Sequence, residues 1–193
     1  NSTIDAVMAG RLSADDMAGV AVASNIYVTV YIGFMAVLQA LAPIAGHHFG
    51  AHRWRQIGDD LQQALWLAAA LAVAALPCLL ATGFWTHFAG VDGRVANITE
   101  TYLHAVAFGL PAGLATRVYV ALNAAVSRPT VTMVVNLTVL ALKVPLNAVF
   151  MYGAGPIAPM GGAGAGVATA LLAWLALLLS VAIWHLDGFY DRF

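Results

Sequence analysis

Four side chains in this sequence have the types and spacing to handle a cation or a proton: Asp5, Lys143, Asn147 and Thr169. A carboxylate, an amide carbonyl and a hydroxyl are hard oxygen donors, suited to an alkali cation or a proton relay. Lys143 adds an ammonium inside the apolar run ALKVPLNAVF (141–150). Lys143 and Asn147 stand four residues apart, so on a helix both project from one face. An ionisable group in such a run is costly, and by default it marks a functional site.

These residues need helices to carry them. The chain has 193 residues, 62% hydrophobic and 9% charged, with mean hydropathy +0.84. Soluble domains carry about 25% charged residues. No Asp, Glu, Lys or Arg occurs between Asp16 and Arg53, between Asp60 and Asp92, or between Lys143 and Asp187. A spanning helix needs roughly 20 apolar residues, so these gaps hold at least four. The alternating ten-residue segments of a β-barrel are absent. The sequence predicts an all-α polytopic membrane protein forming a single lobe over 1–193. Its spans are expected near 1–10 (partial), 20–46, 62–84, 102–125, 130–151 and 163–185. Ser13 is expected to cap the second helix, with Asp16 adding charge near its positive end. The first five residues, NSTID, hold no methionine, basic region or signal-peptide core. The first helix is therefore expected to be truncated, in a chain that begins inside a longer protein.

On these spans, Asp5 lies roughly 8–9 Å below the outer surface at about 1.5 Å per residue. Asn147 and Thr169 fall at a similar depth from two other helices. Lys143 is one turn deeper, on the order of 12–14 Å from that surface, too far to snorkel fully. Asp5 is its nearest acid by depth. Pro145 removes a backbone donor and frees the carbonyl of Ala141, so a kink is expected there. Taken alone, Lys143 also fits an inert paired charge, and Asn147 or Thr169 fits interhelical hydrogen bonding.

Other features carry less. Arg117, also within a span, can reach toward the inner surface. His47, His48 and His52 read as loop residues rather than a metal site. Gly162 and Gly166 form a small-xxx-small pair for close helix packing. Cys78 has no partner for an internal disulfide. Net charge is −1, which gives no surface for nucleic acid. The segments after spans two, four and six carry Arg53, Arg55, Arg128 and Arg192, against Arg11 and Arg94 on the other side. This places the first set in the cytoplasm.

Five stretches, in order along the chain, resemble the multidrug and toxic compound extrusion (MATE) family on its NorM-like branch. They are IDAVMAG (4–10), LQALAPIAGHHFGAHR (38–53), GLPA (109–112), VPLNAVFMYG (144–153) and GGAGAGVATA (161–170). The resemblance implies the amino-terminal six-helix lobe of a twelve-helix antiporter in a bacterial inner (plasma) membrane. Its partners would be the bilayer, small cationic amphiphilic substrates and a carboxy-terminal lobe of the same chain. It implies no cofactor beyond a coupling proton or sodium ion. Asp5 matches the family's coupling carboxylate, and Asn147 and Thr169 match its polar positions on helices five and six. Lys143 stands where the family usually has asparagine. A fixed ammonium there could take the electrostatic role of bound sodium, which favours proton coupling.

Other expectations compete with this one. A flippase for lipid-linked sugars would line its cavity with several cations, whereas only Lys143 and Arg117 lie within spans. An enzyme finds no H-E-x-x-H, paired aspartates or G-x-S-x-G. A non-transporting membrane scaffold requires none of the four residues to act.

Overall fold

A computed structural model of the chain describes residues 2–91, 93–153 and 158–193. Asp92, which bounds one of the charge-free runs, and residues 154–157, between the spans expected at 130–151 and 163–185, lie outside them. The elements are α1 (Ser2–Gly10), α2 (Ala14–Leu38), α3 (Leu41–Gly50), α4 (Trp54–Leu80), α5 (Thr82–Ala89), α6 (Gly93–Ala125), α7 (Pro129–Tyr152) and α8 (Ala163–Leu186). A 3-10 turn follows at Tyr190–Arg192. Among the described residues there is no strand.

Five segments are long and apolar enough to cross a membrane: α2 with α3, α4, α6, α7 and α8. Their outward faces are apolar as well. Trp66, Val73, Phe108 and Leu178 are all exposed. Helices apolar on every side belong in lipid. The protein is a multi-pass helical membrane protein.

Local chemistry sets the helix ends. The Ser13 side chain accepts a hydrogen bond from the backbone N–H of Asp16 at 2.9 Å and caps α2. The segment expected as one span at 20–46 divides at Gln39–Ala40. Pro43 has no N–H to offer the carbonyl of Gln39, and Ala42 N–H takes that carbonyl instead, at 3.2 Å. A second break falls at Ala81, where the indole of Trp85 donates to the carbonyl of Cys78 at 2.7 Å. The segment between the spans expected at 62–84 and 102–125 is largely helical, with α6 starting at Gly93. Gly90 lets α5 stop in the left-handed region, at φ 63°. Pro129 opens α7 where its missing N–H costs nothing. Pro145 lies inside α7 without ending it.

Helix α6 is the axis of the lobe. It packs against α2, α3, α4 and α8 and buries Tyr102, Leu103, Leu110, Leu114 and Leu122. Helix α7 is held mainly by α8, with smaller contacts from α6 and α1. Glycines let the backbones close in. A Cβ on Gly109 would lie 2.6 Å from Cα of Ala170, and one on Gly166 would lie 2.9 Å from the carbonyl oxygen of Tyr102.

Candidate functional site

Helices α1, α7 and α8 meet at a polar centre inside this apolar lobe. Asp5, on α1, is 2% exposed, and Lys143 and Asn147, on α7, are 1% and 0% exposed. Charges removed from water this completely require partners, and each has one. Lys143 Nζ stands 2.9 Å from Asp5 Oδ1. Asn147 Nδ2 donates to that same oxygen at 2.5 Å. Lys143 Nζ also donates to Thr169 Oγ1, on α8, at 2.6 Å. The Thr169 hydroxyl donates in turn to the carbonyl of Ala165 at 2.7 Å.

All four expected residues therefore lie in one network. Its wiring is more specific than their depths implied. Lys143, rather than Asn147, is the link to Thr169. Asn147 meets Asp5 through its amide N–H, which leaves Oδ1 buried with no partner among the described residues. Pro145 lies between the two α7 contacts, and its ring denies the carbonyl of Ala141 an i+4 donor.

A fourth helix borders the centre. Tyr102, on α6, is buried, and its hydroxyl accepts from Ser24 Oγ, on α2, at 3.2 Å. On the α8 side, a Cβ on Gly166, three residues before Thr169, would lie 2.9 Å from the carbonyl oxygen of Tyr102. Neither Tyr102 nor Ser24 stands out in the sequence. A tyrosine in an apolar run reads as ordinary core, and the Ser24–Tyr102 contact joins residues 78 apart.

Arg117 takes no part. Its Nε donates to Tyr31 Oη at 2.8 Å, and that hydroxyl donates to the carbonyl of Gly113 at 3.1 Å. His48 Nδ1 lies 2.7 Å from Asp60 Oδ2 near the junction of α3 and α4. Among the described residues no three His, Cys, Asp or Glu side chains converge as a metal site would require. Cys78 is exposed.

The sequence profile of the MatE family matches residues 1–149. The chain belongs to the MatE family. Relatives of this MatE chain include the probable multidrug resistance protein NorM of Aromatoleum aromaticum, 41% identical over 172 residues. That match covers 89% of this chain and 37% of the relative. The multidrug resistance protein NorM of Vibrio cholerae is 36% identical over 176 residues, covering 91% of this chain and 38% of that protein. The MatE chain thus spans about two fifths of the length of the curated relatives it matches. A solved chain titled "protein C" superposes with a TM-score of 0.72 at 24% identity, over 97% of this chain and 40% of its own. That likeness concerns the all-α fold alone. Of the four site residues, Asp5, Lys143 and Asn147 lie within the family match and Thr169 beyond it.

Proposed function

We propose that this MatE chain forms the amino-terminal lobe of a cation-coupled antiporter that exports cationic amphiphilic compounds, with the proton favoured over sodium. The names of the NorM relatives support multidrug export, and the same kinship supports a transporter rather than an enzyme. The protein would work in a bacterial inner membrane together with a second lobe. The observation that carries the coupling is the buried Lys143–Asp5 pair at 2.9 Å.

The choice of ion follows from room as well as charge. A sodium ion needs several oxygens at once. Asp5 Oδ1 already receives both Lys143 and Asn147, and Thr169 Oγ1 already receives Lys143. A proton needs only one oxygen of Asp5. Once protonated, Asp5 ceases to neutralise Lys143 and becomes a donor. The Oδ1 of Asn147, without a partner among the described residues, is the acceptor that donor would find after the amide turns. The two protonation states therefore favour different arrangements of α1 and α7. Such differential interaction is what a coupling ion must supply to shift an alternating-access equilibrium.

Dye efflux from vesicles, driven by a pH gradient or a sodium gradient, tests the reading in wild type, Asp5→Asn and Lys143→Asn. Wild type should respond to pH alone, Asp5→Asn to neither gradient, and Lys143→Asn should gain a response to sodium. A sodium response in wild type that disappears in Asp5→Asn would overturn the preference.

A further inference from the structure

Asp16 is 3% exposed, although it lies in the first turn of α2 beside a polar turn. A carboxylate so buried beside solvent must be held by specific donors, and three elements supply them. Ser13 Oγ donates to Oδ2 at 2.5 Å, Arg94 Nη2 on α6 donates to Oδ2 at 3.2 Å, and the backbone N–H of Gly162 donates to Oδ1 at 2.7 Å. Gly162 is the residue immediately before α8. Its N–H is among those a helix start leaves without an internal partner, and a negative charge there also meets the positive end of the helix dipole.

The fit around this carboxylate is close. Gly161 adopts φ 62°, and a Cβ on it would lie 3.0 Å from Asp16 Oδ1. A Cβ on Gly162 would lie 2.9 Å from Cγ2 of Val20 and 3.1 Å from Asp16 Oδ1. Helix α2 otherwise touches α8 over only a small area. From Gly162 the helix runs two turns, about 10 Å, to Thr169, which receives Lys143 at 2.6 Å.

We propose that Asp16 is a positioning residue for the coupling centre. It fixes the end of α8 against α2 and α6, and so sets where Thr169 meets Lys143. This rests on the exporter reading for its consequence but not for the clamp itself. Removing the carboxylate frees the Gly162 N–H, loosens the first turns of α8 and lets Thr169 drift from the ammonium. Asparagine keeps an acceptor for that N–H and preserves most of the effect.

The test compares Asp16→Ala, Asp16→Asn and Ser13→Ala in the complete protein in lipid nanodiscs. Hydrogen exchange over the first two turns of α8 should speed up about tenfold in Asp16→Ala, the loss expected for a hydrogen bond to a charged group. Exchange should change little in Asp16→Asn or Ser13→Ala. In vesicles, Asp16→Ala should lower maximal efflux while leaving substrate KM within about twofold, and Asp16→Asn should restore it. Adding Thr169→Ala to Asp16→Ala should cost less than it does alone, since both act through one contact. Unchanged α8 exchange in Asp16→Ala overturns the clamp, and so does equal loosening in Ser13→Ala. Full additivity with Thr169→Ala overturns the link to the centre. If wild type carries no substrate, the exporter reading fails and the exchange arm alone decides the clamp.

Discussion

Replacing Lys143 by methionine separates an ion pair that organises the lobe from one that is incidental. The side chain keeps most of its length and loses its charge. Asp5, 2% exposed, is then left with the amide of Asn147 as its named donor. Thr169 loses little, because its own hydroxyl still donates to Ala165. Breaking one member of a buried pair costs about 3–5 kcal/mol, most of it from the charge left behind. At about 1.4 kcal/mol per decade, the folded population should fall about two to three and a half orders of magnitude relative to the unfolded. Removing both charges, as Asp5→Leu with Lys143→Met, should recover most of that loss, since a buried pair replaced by apolar side chains is often neutral or better. Denaturant unfolding in detergent, followed by tryptophan fluorescence, reads all three variants. A loss below about 1 kcal/mol for Lys143→Met, or a double variant no better than the single, would refute the pairing and the coupling built on it.

Three more outcomes follow from other contacts. Tyr102→Phe leaves the hydroxyl of Ser24 without its acceptor and should cost about 1 kcal/mol in the same unfolding assay, with Ser24→Ala in the same background restoring most of it. Gly109→Ala places a methyl 2.6 Å from Cα of Ala170 and should destabilise by about 1–3 kcal/mol, measurable as a lower melting temperature. The N–H of Phe189, and then the guanidinium of Arg128, hold the Asp187 carboxyl below its ordinary value of 3.8. A depressed carboxyl contributes stability above the unfolded value and loses it as pH falls through the folded one. Acid unfolding should therefore show a component below about pH 4 that Asp187→Asn lacks.

The centre was legible because an ionisable residue in an apolar run has no ordinary reason to be there. Asp5 and Lys143 declare themselves, and the i, i+4 spacing brings in Asn147. The contacts between helices were less legible. Asp16 reads as a helix-start charge, yet its decisive bonds reach Arg94 and Gly162, 78 and 146 residues away, and no local periodicity encodes such distances. Hydropathy also hid the breaks at Gln39–Ala40 and Ala81, since both sides of each are apolar. It misjudged the start of α6 for the opposite reason. Residues 93–100 are polar, and a helix that continues past the greasy layer looks like a loop to a hydropathy argument.

The glycines at the head of α8 restrict its degrees of freedom. Gly162 faces Val20 on α2, Gly164 faces the carbonyl of Phe150 on α7, and Gly166 faces Tyr102 on α6. Successive positions in this set are turned by about 200° around the axis, so the helix is keyed into its neighbours on two roughly opposite sides. Rolling α8 would drive a backbone into a backbone. Tilting it or sliding it along its length would not. Thr169 therefore cannot swing away from Lys143 by rotation of its own helix. A state that parts them tilts or slides α8, or moves α7, the helix on which the ammonium and Pro145 are only two residues apart.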